Sequence, residues 1–215
     1  MIVGLTGPNA AGKGEVANVL RARGYAYHSL SDVVRDEATV RGLDHTRENL
    51  IRVGNELRAA HGPGALAERI VAKIVGAAGI DLETDAVPEP RSDARPGSTS
   101  PWLIALPGSV HAIVDSIRNP AEVGVLRRLS GFLLIGINAP IAVRFERSRL
   151  RARAGDGTTL DEFARKESLE NSTDAAAQQL TQTFLLADVV IDNSGSLADL
   201  GDRVTAALRS VESAR

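Results

Sequence analysis

Gly4-Leu-Thr-Gly-Pro-Asn-Ala-Ala-Gly-Lys-Gly-Glu15 follows the three residues Met-Ile-Val at the start of the chain, and its reading decides the fold. Gly7 to Gly14 satisfies G-x-x-x-x-G-K, with Gly14 where such loops usually carry Ser or Thr. Glycines let backbone N–H groups curl around phosphate oxygens, and a helix opening near Lys13 directs its positive end at them. Lys13 then bridges the β- and γ-phosphates of a nucleotide. An apolar run, Ile2 to Thr6, precedes the loop, and Val16, Val19 and Leu20 follow at helical spacing. A glycine at 14 offers no hydroxyl to a metal ion. Magnesium tolerates this, because it keeps several waters and takes other ligands from phosphates.

Bulk properties agree with a nucleotide-binding domain. The 215 residues suffice for one α/β domain, and the apolar (43%) and charged (24%) fractions are those of an ordinary globular protein. A formal charge of −2 makes no electrostatic case for nucleic-acid or membrane partners. There is no cysteine, which excludes disulfides, thiolate catalysis and Cys-ligated zinc. No signal-like leader or membrane-length apolar run is present, so the expected location is the cytoplasm. Three of the 25 cationic residues are lysines, at 13, 73 and 166, which leaves 22 arginines. A lysine inside the loop is therefore conspicuous.

Further strands are read at Tyr25–Leu30, His111–Asp115, Phe132–Ile137 and Ala187–Asp192. Phe132-Leu-Leu-Ile-Gly-Ile137 is apolar throughout, as a strand covered on both faces requires. Helices are expected from Ser31 or Asp32, which would cap the first of them, from Thr46 to Ile74 with a break at His61–Gly64, from Pro140 to Arg153, from Leu160, and from Leu197 to Val211. Residues 79–109 hold five prolines and little periodicity, which reads as an insertion, with Trp102–Leu106 as a short docked strand. The alternation implies a single domain over 1–215, with a parallel sheet covered by helices on both faces. Within it, 31–78 read as acceptor-binding helices and 154–175 as a lid-like segment.

Phosphoryl transfer needs charge neutralisation and alignment more than covalent chemistry, so arginines converging from separate segments are the expected machinery. Arg35 stands one helical turn past the second strand, and Arg118 follows the third in Asp115-Ser-Ile-Arg118. Arg147 and Arg151 share a helix, and Arg165 lies in the next. Arg144, Arg149 and Arg153 read instead as solvated surface charge. Asp115, ending an apolar strand, sits where a carboxylate would hold a magnesium-bound water. The histidines at 28, 45, 61 and 111 show no metal-ligand spacing and read as structural or surface groups, with His61 near a Gly-Pro-Gly turn.

Together these residues resemble the nucleoside monophosphate kinases of the adenylate kinase type, within the P-loop superfamily. Ser31-Asp-Val-Val-Arg35 is similar to that family's Gly-Asp-Met-Leu-Arg, and Asp115-Ser-Ile-Arg118 to its Asp-Gly-Phe-Pro-Arg. Arg147 and Arg151, seven and eleven residues after Pro140, match its adenine-stacking and phosphate-binding arginines, and Arg165 its first lid arginine. A second lid arginine would fall at Ala176 and is missing. A less characterised, adenylate kinase-related family, often labelled dephospho-CoA kinase-like, resembles the chain more closely. The shared features are Gly-Lys-Gly-Glu15, Asp32–Glu37, Glu56-Leu-Arg58 with Gly62-Pro-Gly-Ala65, Arg144–Arg147, and Ala187–Leu197.

The resemblance implies an α/β P-loop fold with a five-stranded parallel sheet of order 2-3-1-4-5. It implies ATP and Mg²⁺ as cofactors, and ATP-dependent transfer to a (deoxy)nucleoside monophosphate. Gly7, Pro8, Asn9, Ala10, Ala11, Gly12, Lys13, Gly14 and Glu15 would hold the phosphates, and Asn193 and Gly195 the adenine. Asp32, Arg35 and Arg118 would hold the acceptor, and Lys13, Arg118, Arg147, Arg151 and Arg165 would act on the transferring group. Asp115 would meet the metal through water. The partner is then a small-molecule nucleotide acceptor, not nucleic acid or membrane, with a homodimer as an open assembly. Dephospho-CoA kinase is the alternative enzyme, although that enzyme's Asp-x-Asp after strand two is replaced here by Ser29-Leu-Ser31-Asp32. A non-catalytic ATP-binding regulatory module is the alternative outside enzymes.

Overall fold

In the computed structural model, residues 1–81, 103–151, 157–168 and 171–212 are described. Five strands form one sheet in the order β2-β3-β1-β4-β5, and every pairing between neighbours is parallel. The strands are β1 (Ile2–Thr6), β2 (Ala26–Ser29), β3 (Ala112–Asp115), β4 (Phe132–Asn138) and β5 (Val189–Asp192). This is the order that the family resemblance implied. Strands β1 and β3 are buried at every position, because helices cover both faces and leave no solvent side for polar residues to alternate onto.

One apolar cluster lies on each face. The first packs α2 (Leu30–Val40), α3 (Arg47–His61), α4 (Ala65–Ala77) and α5 (Pro120–Leu126) against Ile2, Val114 and Leu134. The second packs α1 (Lys13–Arg21) and α9 (Leu197–Glu212) against Val3, Leu5, Ile113 and Ile135. Consecutive side chains of β1 thus enter opposite cores, as the two-residue strand period demands. The remaining helices are α6 (Ile141–Arg151), α7 (Leu160–Ser168) and α8 (Leu180–Leu185). Among the described residues, no helix is long and apolar enough to cross a membrane.

The structure moves several boundaries. Helix α2 opens at Leu30, two or three residues earlier than a cap at Ser31 or Asp32 would place it. Its N-cap is Ser29, which is in extended conformation and makes no side-chain cap bond, so neither Ser31 nor Asp32 is the cap. Of the Trp102–Leu106 strand, Trp102 lies outside the described residues, while Ile104 bridges to Leu129 in parallel and is 1% exposed. Much of the 79–109 insertion, namely 82–102, also lies outside them, as do 152–156 and 169–170 of the lid-like region and its approach. Helices α5 and α8 carry too few turns to announce themselves by periodicity.

Candidate active site

The loop between β1 and α1 lies at the carboxyl end of the central strand, where parallel sheets open a crevice. Two of its glycines are demanded by close approach. A Cβ on Gly7, at φ 139°, would stand 2.0 Å from the Ile137 carbonyl oxygen. One on Gly12, at φ 103°, would stand 2.0 Å from Asn193 Nδ2. Lys13 Nζ donates to the carbonyls of Gly7 (2.6 Å) and Pro8 (3.0 Å), holding the ammonium over its own loop. No heavy atom stands within 4 Å of where a Cβ on Gly14 would be, so the space beside the missing hydroxyl is open.

A cavity of about 600 Å³ opens over the loop. Of the residues expected to bind nucleotide, Asn9, Ala10, Gly12, Lys13, Gly14, Glu15, Asn193 and Gly195 line it. Arg35, Asp115, Arg118, Arg147 and Arg151 join them from three other segments. Gly7, Pro8 and Ala11 are not in its wall; they shape the loop from beneath. A second cavity of about 210 Å³ lies between α2, α3 and the segment after β3. Asn9, Ser31, Arg35, Ser116 and Arg118 line both cavities, so the two spaces meet at that point. The second cavity also takes in His45, Arg47 and Arg58, and among the described residues no carboxylate, Phe, Tyr or Trp side chain lines it. Its field is cationic.

Asp115 is placed by two bonds. Its Oδ1 accepts from the Ser116 amide at 2.6 Å and its Oδ2 from the Tyr27 hydroxyl at 3.0 Å. Ser116 adopts φ 65°, a sparsely populated conformation for a side-chain-bearing residue, at the point where both cavities meet. Burial first, then the adjacent Asp115 carboxylate, pushes the Tyr27 phenol up to about 12, so it remains a donor at any physiological pH. Arg118 is fixed at both ends. Its backbone amide donates to Glu122 Oε2 at 2.8 Å, and its Nη1 donates to Gln178 Oε1 at 3.2 Å.

Behind Arg118 lies a network that no motif in the sequence announced. Asn119-Pro-Ala-Glu122 is a capping box at the start of α5, with Pro120 in the first turn. Its Glu122, 0% exposed, takes the Arg118 and Asn119 amides on one oxygen, at 2.8 and 3.0 Å. The other oxygen accepts from Arg58 Nε and Nη2, at 3.0 and 2.7 Å. Asn119 Nδ2 reaches the carbonyls of Ala175 and Ala177, both at 2.8 Å. The N-P-x-E spacing was the available sequence signal for this helix; nothing marked Glu122 as a buried hub.

Arg144 corrects the sequence reading. Expected on the solvated surface, it is 5% exposed. Its Nε donates to the Ala139 carbonyl (2.9 Å), its Nη1 to the Asn9 carbonyl (3.2 Å), and both terminal nitrogens pair with Glu167 of α7. Arg151 Nη2 holds the Asn9 side chain at 3.1 Å, so Asn9 is clamped by two arginines of one helix. Arg147 Nη1 is buried and has no hydrogen-bond partner in the structure, a cationic donor beside the loop cavity.

Two expected residues stand apart. Asp32 lines neither cavity and instead pairs with Arg35 Nη1 at 2.6 Å. Arg165 is an exposed residue of α7 and lines neither cavity. Asn193 is 4% exposed, and its side chain is committed to the Ala11 carbonyl at 2.8 Å. His61 lines neither cavity, whereas His45, read as structural or surface, lines the second.

The parallel sheet, the loop after β1 and the helical cover together define an α/β fold of the P-loop type. The chain is similar, at 12% identity and a TM-score of 0.53, to shikimate kinase from Bacteroides thetaiotaomicron, covering 99% of this chain and 98% of that one. It is similar at a TM-score of 0.51, again at 12% identity, to an uncharacterized protein from Eubacterium ventriosum, covering 98% of each. It is 32% identical over 197 residues to a UPF0200 protein of Pyrococcus horikoshii, covering 90% of this chain and 88% of that one. It is 31% identical over 205 residues to a UPF0200/UPF0201 protein of Archaeoglobus fulgidus, of whose length it spans 53%. The chain belongs to the UPF0200 family. No protein-family model matches it.

Proposed function

We propose that this protein transfers the γ-phosphoryl group of ATP to a (deoxy)nucleoside monophosphate, giving the diphosphate. One observation carries the reading. The loop cavity and the helix-lined cavity share Arg35 and Arg118 as a common wall, so a triphosphate on Lys13 and an anionic acceptor would meet there. An oxygen of the acceptor phosphate attacks the γ-phosphorus, the bond to the β–γ bridging oxygen breaks, and ADP leaves. That oxygen is already anionic, so no general base is needed, and the protein's task is alignment and charge neutralisation. Arg35, steadied by Asp32, and Arg118, steadied by Glu122 and Gln178, hold the acceptor phosphate. Arg147 and Arg151 reach the transferring group from α6.

The residues suit Mg²⁺ held mainly by phosphates and water. Asp115 and Glu15 are the carboxylates that line the loop cavity, the space beside Gly14 is open, and among the described residues no group of three metal-ligating side chains exists. The ion would neutralise charge on the β- and γ-phosphates. At the cavity mouth Leu150 (86% exposed) and Leu197 (67% exposed) stand beside Gly195. Two leucines that gain little from water suit the faces of a purine. Arg165 joins the site when α7 swings over the loop.

The test is an ATP-coupled assay with all common ribo- and deoxyribonucleoside monophosphates and with dephospho-CoA. Diphosphate formation from at least one monophosphate is expected. Transfer to dephospho-CoA alone, or ATP binding with transfer to nothing, would overturn the proposal.

A further inference from the structure

We infer that Arg58 reads the base of the acceptor and selects bases that present a carbonyl oxygen over adenine; this rests on the monophosphate reading above. Arg58 is 3% exposed on α3, and its Nε and Nη2 are both taken by Glu122 Oε1. The third nitrogen, Nη1, is buried and has no hydrogen-bond partner in the structure. A buried N–H without an acceptor is costly to keep, and in native proteins such a group calls for an explanation. Here a ligand supplies one, because Arg58 lines the helix-side cavity. Its Nη1 lies 3.3 Å from where a Cβ on Gly54 would stand, and Gly54 lines the same cavity.

Position and charge then narrow the ligand group. The acceptor phosphate belongs at the wall that both cavities share, which includes Arg35 and Arg118 but not Arg58. Arg58 therefore meets the part of the acceptor that lies away from the transfer, among Val34, Leu50, Ile51 and Leu66. Apolar walls of this kind suit a flat base. Glu122 already balances the guanidinium charge, so what remains is a hydrogen-bond donor rather than an unpaired cation, and a neutral carbonyl oxygen suits it. The 6-oxo group of guanine or hypoxanthine and the carbonyls of uracil or thymine provide that oxygen. Adenine turns a 6-amino donor to the same edge. Among the described residues no carboxylate lines the cavity to receive that donor, and Gln178 Oε1 already takes Arg118 Nη1 at 3.2 Å.

The experiment compares kcat/KM for GMP, IMP, UMP, dTMP and AMP with the full chain, saturating ATP and Mg²⁺. The best oxo-base is expected to exceed AMP by about 100-fold, since a site built around a hydrogen bond rejects a ligand that leaves it unpaired. Gly54→Ser keeps the Arg58–Glu122 pair and sets a hydroxyl against Nη1 as an internal acceptor. In that variant the ratio should fall at least about tenfold while thermal melting stays within a few degrees of wild type. If Arg58 served only to brace Glu122 against the Arg118 amide, the ratio would not move in the variant, and the inference would be overturned. AMP turned over as well as the others by wild type overturns it too, and leaves the monophosphate reading standing. Transfer to none of the common ribo- and deoxyribonucleoside monophosphates removes that reading, and this inference with it.

Discussion

Asn193 Nδ2 donates to the Ala11 carbonyl at 2.8 Å across 182 residues of sequence, joining the turn after the last strand to the phosphate loop. Ala11 is fully buried, so its carbonyl has no water to fall back on. Asn193→Ala should destabilise the fold by about 1–3 kcal/mol, the cost of an orphaned buried acceptor. It should also weaken ATP binding through a loosened loop. Chemical denaturation and calorimetric titration of ATP check the two effects separately. A variant with wild-type stability would show that the loop needs no such brace.

Lys13→Ala should lower ATP affinity by roughly 10–100-fold, as expected for losing a charged hydrogen-bond donor to phosphate. Its ammonium donates to the Gly7 and Pro8 carbonyls of the loop, outside the two apolar cores, so far-UV circular dichroism should stay unchanged. Unaltered ATP binding and phosphotransfer by this variant would sink the loop assignment.

Arg35→Ala should raise the KM for the acceptor by at least tenfold while moving the KM for ATP by less than about threefold, the pattern of lost ground-state binding to one substrate. The Arg35 side chain is 40% exposed and paired with Asp32, so its removal leaves no buried charge behind. Asp32→Asn should give a smaller change of the same sign. Equal effects on both substrates would place Arg35 with the nucleotide instead.

Arg144→Met should cost about 3 kcal/mol, because Glu167 and two backbone carbonyls lose a buried cation. The double variant with Glu167→Gln should recover part of that loss. Thermal unfolding of wild type, both single variants and the double variant decides it; additive losses would mean that the pair is not a unit.

His28 is held below the ordinary histidine range, first by burial and then by Lys73. The unfolded chain therefore binds this proton more readily than the folded one. Stability from this source is complete above the unfolded value of about 6.5 and declines as pH falls below it. Melting temperature should drop between pH 7 and 5.5, and more shallowly in His28→Gln. Parallel profiles would remove His28 from the account.

Strands and loop were legible because their signals are local. A six-residue apolar run such as Phe132–Ile137 has the length and composition of a strand covered on both sides, and Gly7 to Gly14 carries its chemistry in its spacing. The arginines divided according to what their partners were. Arg35 and Arg118 were found because each follows a strand end. Arg144 was taken for surface charge because its partners, Asn9 and Glu167, lie 135 and 23 residues away. Glu122 and Arg58, 64 residues apart, were beyond reach for the same reason. Helical spacing cannot tell a charge that faces solvent from one that faces a buried counter-charge.

The clamp on Asn9 has a mechanical consequence. Through Arg144, one rigid chain of contacts runs from the phosphate loop to α7, the helix that carries Arg165. Displacing α7 pulls on the loop, and reshaping the loop pushes on α7. The position of Arg165 is therefore tied, through a single guanidinium, to the shape of the loop at Asn9.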